Sequence, residues 1–275
     1  MWYDPVHCTE LTVRLCYNLN MKLNNLEKFL RKVRGGEMAY GTCVTFADCA
    51  VTEVACEVGF DFVWIDGEHG EMDRVNAMHH LMAVKGTDTA SFYRVPACDH
   101  TEIKKIIDFA PAGVIVPMVM DEKDAARAVA ACRYPMDGGN RGCGFRRAWG
   151  YGVRDTAEYL AEAAREPLVI IQLEHIDAAR RLDAILEGPG VDSIMIGPYD
   201  FSASMGKPGM FDDPEVRRAL DEACAKVVAK GILLGCYCEG DFESWRKRGV
   251  RYMSVKNDTN AMIDGWRNAL KAAKA

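Results

Sequence analysis

The sequence predicts a (β/α)8 barrel, on three observations. Eight short apolar runs rich in Val and Ile recur along 275 residues, segments of helical period lie between them, and neither GxGxxG nor GxxxxGK[ST] follows any run. Strands buried on both faces of a parallel sheet read as apolar runs without strict polar alternation. Eight strand–helix repeats over this length favour a closed barrel over an open doubly wound sheet, and the missing glycine motifs weaken a nucleotide-binding alternative.

The predicted strands, in order, begin with "AYGTCVTF" from Ala39, "DFVWIDGE" from Asp61, "TASFYRVP" from Thr89 and "AGVIVPMV" from Ala112. They continue with "PLVIIQLE" from Pro167, "VDSIMIGP" from Val191, "GILLGCYC" from Gly231 and "RYMSVKND" from Arg251. The stretch "NLEKFLRKVRGG" precedes the first strand as a helix. "DEKDAARAVAACRY" after the fourth strand and "DAARRLDAILEG" after the fifth are each predicted as one helix, the second stopped by Gly188-Pro189. "DDPEVRRALDEACAKVVAKG" opens with Asp213 as N-cap and Pro214 in its first turn, and closes on Gly231. Residues 134–153, "YPMDGGNRGCGFRRAWGYGV", are too long for a simple connector and are predicted as an active-site loop. Residues 1–20 form a leader of unassigned role, and residues 21–275 are read as a single domain. Met21 is a candidate for the true start, which N-terminal sequencing of native protein would settle.

The apolar fraction of 49 % is that of an ordinary globular protein. A net charge of −6 with intermixed signs offers no basic field for nucleic acid or anionic lipid. The 11 cysteines form no CxxC pair and no Cys/His zinc spacing, which fits reduced, buried thiols. The amino terminus has no basic segment leading into an apolar run, and no apolar stretch approaches the roughly 18 residues of a membrane span. The expected setting is cytoplasmic, with no nucleic-acid or membrane partner.

Active sites of such barrels form at the carboxyl ends of the strands. Those ends supply Asp66, Glu68 and His69 from strand two, Arg94 from strand three, Gln172 and Glu174 from strand five, Asp200 from strand six and Asp258 from strand eight. Glu174 and Asp200 are either solvated loop carboxylates or, because consecutive strands are neighbours, a two-carboxylate cation site. All-oxygen ligation suits Mg²⁺ or Mn²⁺ better than Zn²⁺. His69 is either a histidine bonded to a backbone carbonyl or, beside Asp66 and Glu68, an acid–base group with a pKa suited to proton transfer. Arg94 needs an anionic partner, a structural carboxylate or a substrate anion. His79-His80 is read as surface or packing. Cys236 and Cys238 point the same way without an evident third ligand.

The segments "GFDFVWIDGEHG", "YRVP" with "IKKIIDFAPAGVIVPMV", "RYPMDGGNRGCG", "QLEHIDAARRLDAIL" and "GVDSIMIGPYDFSASMG" together resemble the HpcH/HpaI family of metal-dependent, class II pyruvate aldolases. The resemblance runs from about Asn24 to about Asp264 and implies a phosphoenolpyruvate/pyruvate-type barrel. It implies a homohexamer with its last helix exchanged between neighbours, and a divalent metal, Mg²⁺ or Mn²⁺ with Co²⁺ as a further candidate. By this resemblance Glu174 and Asp200 match the metal ligands, His69 the general base, and Arg94 the arginine that holds pyruvate and its enolate. Asp66 joins the catalytic set. Asp108, in "IIDFAP", matches an aspartate that raises the basicity of the catalytic histidine. Gln172 and the backbone around Tyr199 and Asp200 match substrate contacts. Departures from the family pattern stand at His175, where a small hydroxyl residue is common, at Tyr199, usually small or amide, and at Phe201, usually Leu.

The implied reaction splits a 4-hydroxy-2-oxo acid between C3 and C4 into pyruvate and an aldehyde. A divalent cation and Arg94 would share the enolate charge, and His69 would take the C4 hydroxyl proton. No Lys ends strand six, which disfavours a Schiff base; Lys207 and Lys256 keep that option open. Two further readings stand beside it. One is a related barrel acting on another 2-oxo acid, for instance decarboxylating oxaloacetate. The other is a non-catalytic metabolite-binding barrel.

Overall fold

Alternation along eight parallel strands divides the buried side chains between two cores. The structure, a computed structural model, describes residues 23–275; the leader and Met21 lie outside them. The strands are β1 (Ala39–Val44), β2 (Phe62–Asp66), β3 (Ala90–Arg94), β4 (Gly113–Val116), β5 (Leu168–Leu173), β6 (Ser193–Ile196), β7 (Leu233–Tyr237) and β8 (Tyr252–Asn257). They pair in chain order and close through β1 against β8. All eight predicted strands are present, and the barrel is closed.

Inward side chains, Phe62, Trp64, Phe92, Ile115, Ile170, Met195 and Tyr252, fill the barrel. Outward ones, such as Val63, Ile65, Val114, Val169, Ile194 and Ile196, pack under the helices. Period-two alternation therefore separates two apolar cores. The first helix, α1 (Leu26–Arg34), plugs the amino-terminal end of the barrel. Its Phe29 ring lies 4.9 Å from Phe92, 5.5 Å from Tyr252 and 5.9 Å from Phe62, all edge-on.

The remaining helices are α2 (Ala50–Val58), α3 (Arg74–Ala83), α4 (His100–Ile107), α5 (Glu122–Cys132), α6 (Thr156–Ala163), α7 (Ile176–Arg180), α8 (Leu182–Glu187), α9 (Pro198–Ser204), α10 (Pro214–Ala229), α11 (Phe242–Lys247) and α12 (Asp258–Lys274). Asp213 caps α10 as predicted, accepting from the Glu215 and Val216 amides, with Pro214 at its start. The helix predicted after strand five is instead two, α7 and α8, because Arg181 (φ −98°, ψ 6°) leaves helical geometry between them. Its guanidinium reaches across to Glu122 at 2.9 Å.

Residues 134–153 do not lie at the barrel mouth of this chain. They leave the carboxyl end of α5, which puts them at the amino-terminal end of the barrel, and they build a third small core of Tyr134, Ala148, Trp149, Tyr159 and Ala163. Two buried arginines tie them down: Arg147 donates to the carbonyls of Leu81 and Phe109, and Arg141 to the Tyr159 hydroxyl. Their length serves packing, and two short 3-10 turns, Pro135–Asp137 and Arg147–Gly152, take up part of their backbone hydrogen bonding. His79 is exposed at the surface, while His80 is buried in packing with Nδ1 2.7 Å from the Thr52 hydroxyl. The nine described cysteines are free. Cys143 is exposed, against the expectation of burial, because it rides on the outer part of the 134–153 loop. Among the described residues no helix is long and apolar enough to cross a membrane.

Candidate active site

At the end of β2 the apolar run stops because Asp66 has backbone and side-chain partners waiting. Its Oδ1 accepts the amides of Glu68 at 3.0 Å and His69 at 3.2 Å, so one carboxylate shapes the turn that follows. Glycines allow that turn. A Cβ on Gly70 would sit 2.2 Å from the Asp66 carbonyl, and one on Gly67 would sit 2.3 Å from the Tyr93 hydroxyl. The Thr45 carbonyl, on the loop after β1, accepts the Glu71 amide at 2.8 Å and closes the turn.

Arg94 lies directly opposite Asp66 in the β2–β3 register. Its Nε and Nη2 donate to Asp66 at 2.9 and 2.6 Å, a bidentate pair with both partners buried. Nη1 lies 2.8 Å from Glu68 and donates to Gln172 at 3.4 Å. The guanidinium also stacks 4.7 Å from the centre of the Trp64 ring. Burial works against its charge, yet the Asp66 hydrogen bonds and charge hold its pKa above the ordinary value. In this chain the carboxylates that face Arg94 are Asp66 and Glu68.

Gln172 carries the row onward. Its Oε1 accepts from Arg94 and its Nε2 donates to Glu174, which follows β5. The other Glu174 oxygen accepts the Met118 amide at 2.7 Å, and Met118 adopts φ +51° to present it. Asp200, in the first turn of α9, stands exposed on the neighbouring strand's exit. Gly197 lets these meet, since a Cβ there would lie 2.9 Å from Gln172 Nε2 and 3.1 Å from Glu174. Burial, with the like charges of Glu68 and Asp200, pushes the Glu174 carboxyl up to about 7, although the Met118 amide opposes this. Glu68 is likewise raised, first by burial, with Arg94 and His69 pulling the other way.

Three carboxyls thus act on one another across the mouth. Among the described residues, no group of three or more His, Cys, Asp or Glu side chains forms a ready cage for a metal. The donor chemistry nonetheless fits a hard cation. Such ions are held by one or two carboxylates with remaining positions left to water and substrate, and positive charge here would offset the burial and the like charges that raise Glu174.

The sequence profile of the HpcH/HpaI aldolase/citrate lyase family matches residues 41–264. The chain belongs to that family. It is 34 % identical over 242 residues to 4-hydroxy-2-oxovalerate aldolase of Rhodococcus jostii, covering 86 % of this chain and 92 % of that one. It is 30 % identical over 243 residues to hydroxypyruvate/pyruvate aldolase of Roseobacter denitrificans, covering 87 % and 94 %. The structure of an HpcH/HpaI aldolase/citrate lyase family protein from Burkholderia cenocepacia superposes with a TM-score of 0.84 at 27 % identity, over 91 % of this chain and all of that one. This HpcH/HpaI chain is an enzyme, a carbon–carbon lyase acting on small molecules.

In the HpcH/HpaI barrel the predicted residues divide in two. Asp66, Arg94, Gln172, Glu174, Asp200, Glu68 and His69 gather at the mouth. The His69 ring is 66 % exposed, with Nε2 3.8 Å from Glu68. Tyr199, beside Asp200, is half exposed. Asp108 is not brought to them. It caps the carboxyl end of α4, at the opposite end of the barrel, where burial raises its carboxyl against the charges of Arg141, Lys104 and Arg146. Asp258 is at the mouth but fully engaged, accepting from the Thr45 and Phe46 amides at 2.7 and 3.1 Å and from the Thr45 hydroxyl at 2.6 Å. His175 caps α7 through Nδ1, accepting the Asp177 amide at 3.1 Å, which is work a small hydroxyl side chain also does. Lys207 is paired to Asp213 and Glu215, and Lys256 to Asp264. Both ammonium groups are held above their ordinary pKa by those hydrogen bonds, which suits neither for Schiff-base chemistry.

Sequence reading missed Met118, Trp64 and Tyr237. For the two aromatics a signal existed. Counting back by two from Asp66 puts Trp64 on the inward face, and the same alternation puts Tyr237 one layer above Gly235. Nothing local marks the Met118 amide, whose role depends on β4 lying beside β5.

Proposed function

We propose that this enzyme is a divalent-metal-dependent pyruvate aldolase that cleaves, or forms, 4-hydroxy-2-oxo acids. The observation that carries the reading is one hydrogen-bonded row, Asp66–Arg94–Gln172–Glu174, joining a cation to a carboxylate pair across β2, β3 and β5. Glu174 and Asp200 would hold Mg²⁺ or Mn²⁺, whose chemistry when bound is Lewis-acid stabilisation of negative charge on the 2-oxo acid. Arg94 supplies a planar cation already oriented by Asp66, with no reorganisation left for the moment of reaction. Gln172 keeps the guanidinium and Glu174 in fixed relation. Asp66 positions Arg94 and, through its turn hydrogen bonds, the segment bearing His69. His69, exposed at the mouth, takes the C4 hydroxyl proton in cleavage and returns it in addition.

Asp108 belongs to the reading only through a neighbouring copy, because one chain holds it at the far end of the barrel. A homohexamer is supported by α12, which buries none of its residues in this chain and leaves Trp266 and Leu270 exposed. Nine free cysteines support a cytoplasmic setting. The test is pyruvate release from 4-hydroxy-2-oxo acids with and without EDTA. Loss of rate on chelation, restored by Mg²⁺ or Mn²⁺, is expected; equal rates in both would sink the proposal.

A further inference from the structure

One side of the mouth is a wall of rings. It starts beneath Arg94 at Trp64, continues with Tyr237 edge-on at 6.2 Å, then Tyr199 at 6.4 Å, and ends with Phe211 edge-on to Tyr199 at 4.9 Å. Exposure rises along it, from 2 % at Trp64 to 49 % at Tyr199. Core packing explains Trp64 and Tyr237 but not Tyr199, which holds large apolar surface in water next to Asp200 in the chain. Rings placed so offer about 150–250 Å² each for a partner to cover.

Within one chain the charge on this wall is negative. Glu239, following β7, accepts hydrogen bonds from the Tyr237 hydroxyl and from Asn260 Nδ2, the latter at 2.7 Å, which fix the carboxylate beside the rings. Its charge reaches Tyr199 and helps burial raise that phenol. Lys256 on the adjacent β8 is paired to Asp264, with the charge of Glu239 also acting on it, and Arg94, held by Asp66, Glu68 and Gln172, serves the pyruvate half. A ligand carrying a remote carboxylate would meet rings and a fixed like charge here.

Resting on the aldolase reading above, we infer that the aldehyde half of the substrate is uncharged and apolar, an aryl or alkyl aldehyde whose body lies on Tyr199, Phe211 and Tyr237. In addition, pyruvate C3 gives up one proton and bonds to the carbonyl carbon, and the carbonyl oxygen takes up one proton; nothing is oxidised or reduced.

The test compares kcat/KM of the metal-loaded enzyme for adding pyruvate to benzaldehyde and to succinic semialdehyde. Benzaldehyde is expected to win by about tenfold or more; parity or the reverse order overturns the inference. In Glu239→Gln the preference narrows by roughly threefold to tenfold as the like charge is lost. In Tyr199→Ala the benzaldehyde value falls by about tenfold and the semialdehyde value falls less. An unchanged preference in both variants also overturns it. Deuterium exchange at pyruvate C3 needs no aldehyde and reads the underlying proposal separately. Exchange without a benzaldehyde preference removes this inference alone, whereas no exchange removes both.

Discussion

Asp66 and Arg94 stand opposite each other in the β2–β3 register and share two hydrogen bonds of 2.9 and 2.6 Å while buried. The same Asp66 oxygen that accepts Arg94 Nε also accepts the Glu68 and His69 amides. One carboxylate therefore sets both the direction of the guanidinium and the path of the turn that carries His69. Buried pairs of this kind add little net stability, but removing one partner strands a charge.

Arg94→Lys keeps the charge and loses the fork. A single ammonium cannot span both Asp66 oxygens and Gln172, so turnover is expected to fall at least about 100-fold. Asp66→Ala is expected to lower unfolding free energy by about 3 kcal/mol, because Arg94 stays buried without its bidentate partner and with Glu68 alone beside it. Steady-state rates and denaturant titrations read the two effects. A near-normal rate for Arg94→Lys would leave that arginine a structural role only.

The raised Glu174 carboxyl makes metal-free stability depend on pH. Its pKa is 4.5 in the unfolded chain and about 7 when folded. The folded protein keeps a proton that the unfolded chain has already released, so this group's stabilising share is whole below 4.5 and is lost as pH climbs through about 7. Melting of the metal-free enzyme should therefore decline between pH 5 and pH 8, at roughly these bounds, and saturating Mg²⁺ should restore it most at the upper end. Apparent metal affinity should drop about tenfold per pH unit below about pH 7. A metal-free melting curve flat across the range and insensitive to Mg²⁺ would remove Glu174 as a ligand.

Gly197→Ala tests the close approach behind the carboxylate pair. The new methyl would lie 2.9 Å from Gln172 Nε2 and 3.1 Å from Glu174, pushing apart two groups that share a hydrogen bond. We expect a cost of about 1–3 kcal/mol and weaker Mg²⁺ or Mn²⁺ binding by calorimetry. Unchanged metal affinity would show that Glu174 tolerates displacement.

Asp258→Asn tests whether β8 positions the site from across the seam. Asp258 pins the loop after β1, and the Thr45 carbonyl of that loop closes the turn bearing His69. The amide side chain cannot accept all three of these hydrogen bonds, so turnover should fall by about tenfold with metal affinity kept. Amide hydrogen exchange at Thr45 and Phe46 should quicken in parallel. Slower turnover without faster exchange would place Asp258 in direct contact with substrate.

The local sequence by itself determined the eight strands, the cap of α10 and the polar residues at the strand ends. Short Val/Ile runs, capping residues and helical period act over a few residues and leave a local trace. It also put Glu174 and Asp200 on neighbouring strands, because in a barrel consecutive strands pair. Partners were another matter. That Arg94 spends its fork on Asp66, that Met118 turns an amide to Glu174, and that Asp258 reaches Thr45 across more than two hundred residues of chain all depend on register and closure. Loop length alone suggested that residues 134–153 belong to the site, and a family motif suggested the same of Asp108. Only the tertiary structure showed both at the opposite end of this barrel, since a segment leaving the carboxyl end of a helix emerges where the next strand begins.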